Sequence, residues 1–155
     1  MELSDEVLIP AKRDDVYKAL NDVDVLKLCI PGCEELTKES DTELDAVVVL
    51  KIGPMKAKFA GHITLDPSNA PSQFSLMGEG DGGVAGFAKG GADVDLIEDG
   101  DNTILRYEAK AEPGGKIAQL GSRLIVSTAK KLSAKFFKNF EDYMNGDLEM
   151  PEDQD

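Results

Sequence analysis

Hydrophobic residues recur with a period of two over the middle of this chain and with a helical period nearer its two ends. Leu3, Val7 and Ile9 sit among polar neighbours and predict a first strand that Pro10 terminates. Asp14-Asp15-Val16-Tyr17-Lys18-Ala19-Leu20 predicts a short helix with acids in its first turn, where the helix dipole favours negative charge. Val23, Leu26 and Ile30 carry one apolar side into a second short helix, which Pro31-Gly32 stops.

Strand patterns follow. Leu44, Ala46, Val48, Leu50 and Ile52 point one way, Asp45 and Lys51 the other, and Gly53-Pro54 makes a turn. Beyond it Met55, Ala57, Phe59, Gly61, Ile63 and Leu65 face one side, while Lys56, Lys58, His62 and Thr64 face the other. The two segments form a hairpin. His62, the one histidine, falls on its solvated face with no acid, Ser or Cys patterned beside it, and is expected to have no catalytic duty. Further strands are predicted over 73–78, 92–97 and 103–111, the last two joined by the turn Asp99-Gly100-Asp101-Asn102. Short turns between consecutive strands imply an antiparallel sheet, because parallel pairing needs crossovers of about a dozen residues or more.

The last element changes period. From 116 to 144, Ile117, Gly121, Leu124, Ile125, Thr128, Ala129, Leu132, Phe136, Phe140 and Tyr143 fall on one broad helical face, with cations largely opposite. Such a helix is roughly 40 Å long and spans a small sheet. Gly146 ends it, and 147–155 is an acidic tail expected to be disordered. No internal repeat or linker divides the chain, so residues 1–146 are expected to form one domain.

Composition narrows the class. Of the 155 residues 41% are hydrophobic and 30% charged, which excludes intrinsic disorder, and no apolar run approaches the roughly 18 residues of a membrane span. The opening Met1-Glu2-Leu3-Ser4-Asp5-Glu6 lacks the features of a signal peptide, so a soluble, cytoplasmic protein is expected. The net charge of −13 repels phosphate backbones and argues against nucleic acid as a partner. The charge is uneven: between Pro113 and Phe140 there is no acid, while Lys116, Arg123, Lys130, Lys131, Lys135 and Lys138 contribute +6, leaving −19 for the rest.

Candidate chemistry is sparse. Cys29-Ile30-Pro31-Gly32-Cys33 has neither the two-residue gap of a redox motif nor enough partners for zinc, so no metal site is expected. The run from 78 to 91 holds seven of the fifteen glycines, but it continues into a strand, whereas a phosphate-binding loop must open a helix. Its glycines are expected inside strands or at sharp bends, where another element approaches closely. Paired carboxylates look like solvated surface. Only Asp5, on the apolar side of the first strand by alternation, is placed like a catalytic acid, and no nucleophile elbow or triad accompanies it.

The apolar face of the sheet and the long helix mix large and small side chains: Ala57, Gly61 and Gly78 on strands, Gly121, Thr128 and Ala129 on the helix. Small residues on facing surfaces either bring the elements closer or leave a cavity with a few polar groups, for which Tyr107 and Thr128 are the candidates.

Three strings then become informative: Cys29-Ile30-Pro31-Gly32-Cys33-Glu34, Lys51-Ile52-Gly53-Pro54-Met55-Lys56-Ala57, and Gly115-Lys116-Ile117-Ala118-Gln119-Leu120-Gly121-Ser122-Arg123. With Ala19-Leu20-Asn21-Asp22 and the glycine run, they resemble the carbon monoxide dehydrogenase CoxG family of the START-like, helix-grip (SRPBCC) superfamily, over almost the whole chain to about residue 144. The resemblance implies an α+β helix-grip fold: a curved seven-stranded antiparallel sheet wrapped around the C-terminal helix, with two short helices after the first strand. It also implies a non-catalytic accessory protein that binds a quinone-like or lipid-like molecule, with no cofactor of its own. Its partner would be a molybdenum hydroxylase such as carbon monoxide dehydrogenase, at or near the inner membrane face. The expected pocket comprises Phe59, Ile63, Phe74, Leu76 and Phe87 from the strands, with Tyr107, and Leu124, Thr128, Leu132 and Phe136 from the helix. Lys116, Arg123, Lys130, Lys131 and Lys138 form the expected docking patch for a partner or for lipid headgroups. Some relatives carry a long membrane-associating C-terminal extension; here the nine residues after Gly146 are acidic, so any membrane contact is expected to be transient. Two competing readings are a START-like cyclase or hydrolase acting on an aromatic or polyketide-like substrate, and an interaction subunit with a filled core.

Overall fold

The computed structural model describes residues 1–148. Strand β1 (Glu2–Ile9) leads into helices α1 (Arg13–Leu20) and α2 (Val23–Cys29). Asp22 caps α2, its carboxylate accepting from the Asp24 amide at 2.9 Å and the Val25 amide at 3.4 Å. Six strands follow: β2 (Cys33–Ser40), β3 (Glu43–Ile52), β4 (Met55–Asp66), β5 (Gln73–Asp81), β6 (Phe87–Asp99) and β7 (Asn102–Gly114). A 3-10 turn at Gly115–Leu120 precedes the long helix α3 (Ser122–Met144). All seven strands form one antiparallel sheet in the order β1-β7-β6-β5-β4-β3-β2, as the helix-grip resemblance implies.

The alternation predicts six of these strands and misses β2. That strand is an edge with a single apolar anchor, Leu36, and register shifts at Cys33/Glu35 and Lys38/Ser40 erase its period. Helix α3 begins at Ser122, six residues later than the expected 116, because Gly121 adopts φ +94° and breaks the helical path. The helix is therefore roughly 35 Å long. Asp147 and Leu148 both donate to the Asp142 carbonyl, so the start of the expected tail is held; 149–155 lie outside the described residues.

The glycine run forms the β5–β6 hairpin, longer at both strands than the expected 73–78 and 92–97. A Cβ on Gly90 would lie 2.1 Å from the Lys110 carbonyl oxygen. No side chain fits there, so strands β6 and β7 coil inward and the sheet closes around α3.

Two apolar clusters hold the helix, one towards each end. Phe140, fully buried, joins Ile9, Val16, Val25, Leu96, Leu105 and Tyr107 at the C-terminal end. Phe136 stacks on Phe140 and meets Phe137 edge-on, and Phe137 stacks on Tyr107 at 5.4 Å. The Asn139 side-chain amide donates to the Cys29 carbonyl at 3.0 Å and ties α3 to α2. At the other end Ile52, Phe59, Ala85 and Ile117 are buried together, with Leu120 and Leu124 against them.

Removing the C-terminal anchor should be costly. Phe140→Ala is expected to destabilise the fold by about 3–5 kcal/mol in denaturant titration. Leu8→Ala, at a site 54% exposed, should stay within about 0.5 kcal/mol.

Candidate functional site

Between the two anchoring clusters the helix and the sheet do not touch throughout. Two apolar chambers lie along α3. The first, about 370 Å³, is lined by Val48, Leu50, Ile52, Phe59 and Ile63 on the sheet and by Ile125, Thr128, Ala129 and Leu132 on the helix. The second, about 350 Å³, lies among Leu44, Ile63, Phe74, Leu76, Tyr107, Ser133, Phe136 and Phe137, with Leu26 and Ile30 from the α2 end. Ile63 borders both, and their helix residues follow one another along α3, so the chambers stand end to end.

Their chemistry differs. The first chamber is hydrocarbon apart from Thr128, whose hydroxyl already donates to the Leu124 carbonyl at 2.9 Å, a bond within the helix. The second is aromatic and carries polar groups: the Tyr107 phenol, the Ser133 hydroxyl beside it and the Asn21 amide. Burial pushes the Tyr107 phenol up, and the hydrogen bond with Ser133 pulls it the other way. The phenol stays protonated at neutral pH and is a hydrogen-bond donor or acceptor, with Ser133 as its neighbour.

Eight of the ten expected pocket residues meet here: Phe59, Ile63, Thr128 and Leu132 at the first chamber, and Ile63 again with Phe74, Leu76, Tyr107 and Phe136 at the second. Two do not. Phe87 is 53% exposed on the opposite face of the sheet; its neighbour Ala88 points into the chamber, and the Phe87 ring lies over Gly114 of β7. Leu124 packs on Gly53 at the β3–β4 turn, within the N-terminal cluster rather than the cavity. The expected pocket omits Ile125, Ser133 and Phe137, although the first lies on the apolar helical face and the other two flank it, one residue from Leu132 and Phe136.

Outside the cavity, the expected cations Lys116, Arg123, Lys130, Lys131 and Lys138 are all exposed. Lys138 is committed to Asp142 at 2.7 Å, one turn on; the others form no ion pair among the described residues. Asp5 does lie opposite Tyr107 in the β1–β7 register, on the inner face, but at an exposed edge rather than in an apolar pocket. Cys29 is buried and its thiol pushed up to about 11, which keeps it protonated and unreactive; Cys33 is a free thiol at the start of β2.

His62 differs from its sequence reading. Its side chain is partly exposed on the outer face, as expected, but acids do stand beside it: Nδ1 is 2.7 Å from Asp45 Oδ1, and Nε2 is 3.6 Å from Glu43. Asp45 is its direct cross-strand partner. The Asp45 hydrogen bond raises the His62 pKa and holds the Asp45 carboxyl below its ordinary value. The surrounding concavity, about 780 Å³, is lined by Asp45, Glu79, Asp81 and Lys89 as well as His62. It is a charged outer surface, remote in character from the apolar chambers. Among the described residues no group of three or more His, Cys, Asp or Glu is arranged to hold a metal ion, and no helix is long and apolar enough to cross a membrane.

The family model for the carbon monoxide dehydrogenase component CoxG matches residues 6–145. The fold is similar to a conserved protein from Geobacillus kaustophilus, with 27% identity, TM-score 0.88 and coverage of 94% of this chain and 96% of that one. It is also similar to the Zhui aromatase/cyclase from Streptomyces sp. R1128 (13% identity, TM-score 0.67, 94% and 93% covered). A third similar structure is a STAR-related lipid transfer protein from Xanthomonas axonopodis (23% identity, TM-score 0.61, 93% and 85% covered). No curated protein matches the chain at a significant level.

The His62–Asp45 pair gives a direct check on this geometry. NMR titration should place the His62 pKa above its ordinary value of about 6.5, and Asp45→Asn should bring it back down. The raised histidine value means the pair supports the fold fully below the unfolded-state pKa and loses that support as pH climbs through the folded-state value. The lowered Asp45 value removes the support again in acid, as pH falls through it. An unshifted His62 in the wild-type protein contradicts the pairing.

Proposed function

The chain belongs to the carbon monoxide dehydrogenase CoxG family, and on that premise we propose that it is a non-catalytic carrier of an elongated apolar molecule, quinone-like or lipid-like. Its client is a molybdenum hydroxylase such as carbon monoxide dehydrogenase, and it works in the cytoplasm with transient membrane contact. One observation carries the reading: two apolar chambers of about 370 and 350 Å³ lie end to end under one helix, with polar groups concentrated in only one of them. Hydrophobic ligand sites have this make-up, apolar walls with a few polar atoms that fix orientation. The aromatic chamber suits a ring or polar head stacked among Phe74, Phe136 and Phe137 and hydrogen-bonded by Tyr107 or Ser133. The hydrocarbon chamber suits an aliphatic tail. The likeness to a lipid transfer protein supports the same class of cargo.

The competing enzymatic reading draws on the likeness to an aromatase/cyclase. General acid–base work needs a group that titrates near the working pH and faces the substrate. Tyr107, pushed further above the neutral range by burial, fits the role of a hydrogen-bonding anchor better than that of a base. The filled-core reading is disfavoured by the chambers themselves. For the partner enzyme, the exposed stripe of Lys130, Lys131 and Lys135 on α3 offers an acid-free surface complementary to an acidic patch.

Protein purified from its native host should release an apolar molecule on organic extraction, identified by mass spectrometry, and native mass spectra should show the matching mass shift. Thr128→Phe, which fills the hydrocarbon chamber, should weaken binding of an added quinone about tenfold or more while costing at most about 1–3 kcal/mol of stability. Tyr107→Phe should weaken a polar-headed ligand about fivefold, the scale of one hydrogen bond. A protein that releases nothing, and whose quinone affinity is untouched by Thr128→Phe, is not this carrier.

A further inference from the structure

Three stretches of the sequence lack any Asp or Glu: 46–65, 82–92 and 113–140. The fold brings part of each to one pole of the molecule. At the β3–β4 turn, Gly53 lies against Leu124 of α3; at the β5–β6 tip, Gly86 lies against Gly114 and the Lys116 amide. The small cluster of Ile52, Phe59, Ala85 and Ile117 is the buried floor beneath this pole, and three of its members, Ile52, Phe59 and Ile117, also line the hydrocarbon chamber.

What the pole presents is unusual for this protein. Val84 is 86% exposed and Phe87 53% exposed, two of the four large hydrophobics most open to solvent. Around them stand Lys51, Lys56, Lys116 and Arg123, all exposed and none in an ion pair among the described residues. Lys51 and Lys56 are direct cross-strand partners, a like-charge pairing that works against the hairpin. The nearby acids are occupied: Glu34 binds Lys58, Glu112 binds Lys89, and Asp81 accepts from the Gly83 amide. Stability does not explain four unneutralised cations ringing two exposed apolar side chains.

We propose that this pole is a docking surface for an anionic lipid bilayer, with Val84 and Phe87 entering the headgroup region and Lys51, Lys56, Lys116 and Arg123 contacting lipid phosphates. Charge complementarity selects the lipid: each Lys or Arg near an anionic surface contributes about 1 kcal/mol, and exposed apolar side chains add burial that a purely acidic protein patch would not need. The net charge of −13 does not forbid it. Screening confines the interaction to about 8 Å at physiological salt, whereas α3 alone carries the body some 35 Å beyond the pole. The surface gives the carrier reading a route for cargo, since the hydrocarbon chamber lies directly behind it, but binding to lipid is measured without any cargo.

The test is co-sedimentation of the full chain with phosphatidylcholine vesicles, with and without phosphatidylglycerol. The protein should bind the anionic vesicles, release with added salt, and ignore the neutral ones. Lys51→Glu with Lys56→Glu should weaken binding at least about tenfold, and so should Val84→Asp with Phe87→Ser. These exposed variants should keep the wild-type melting temperature within a few degrees, which separates lost docking from lost fold. Lys130→Glu with Lys131→Glu, two turns along α3, should leave binding within about twofold. Equal binding to neutral vesicles, no binding at all, or loss only in the mid-helix variant overturns the proposal. So does retention on an acidic protein matrix without vesicle binding, which would assign the pole to a protein partner. Failure here leaves the ligand extraction result unchanged, so the two readings fall separately.

Discussion

The structure depends on a helix held at both ends and unsupported in the middle. At its C-terminal end Phe136, Phe137 and Phe140 lock α3 to β7 and the short helices, and Asn139 reaches the Cys29 carbonyl. At its N-terminal end Leu124 seats on Gly53 beside the Ile52–Phe59–Ile117 cluster. Between these anchors the helix offers Thr128, Ala129 and Ser133 where a packed core would need Leu or Phe. Either anchor alone would leave the helix free to collapse onto the sheet and close the chambers. Two anchors set its height above the sheet, and the small residues turn that height into volume.

The sheet supplies the other half of the constraint. Seven antiparallel strands must coil strongly to face one helix from several sides, and they do so where side chains are missing. Gly90 meets the Lys110 carbonyl where no Cβ can fit, and Gly86 meets Gly114 in the same way at the hairpin tip. The glycine run that looks like a phosphate loop is thus a curvature device. The same bend that wraps the sheet around the helix also brings the acid-free tips of two hairpins beside the start of α3, so cavity and charged pole share one origin.

Much of this was legible in the chain because the signals were local. Alternation around Gly53-Pro54 set the inner face of β3 and β4, and Phe59 and Ile63 followed from it. The helical period set Thr128, Leu132 and Phe136 on the cavity side. The misreadings have physical reasons. Strand β2 carries one apolar anchor and two register shifts, so no period survives in it. Phe87 lies among glycines whose inward or outward direction no pattern records. Leu124 and Ile125 are neighbours on one broad apolar face, and only the position of the β3–β4 turn decides which of them meets the cavity. Asp45 beside His62 was recoverable in principle: folding the hairpin about its turn places them opposite each other, whereas reading each strand singly hides the pair.

The remaining question is why a protein would keep such space. Engineered core cavities cost about 24 cal/mol per Å³, so an enclosed void of 350 Å³ would cost on the order of 8 kcal/mol. That is comparable with the whole stability of a domain this size. The chambers communicate with the surface, which lowers the figure, yet nothing in the fold compels Ala129 or Ser133 to be small; a larger apolar residue at either would recover part of it. Space retained against that gradient is space that a bound molecule fills. Binding to the folded state alone then returns stability in proportion to occupancy, and it does so at the middle of α3, the stretch the two anchors leave unsupported.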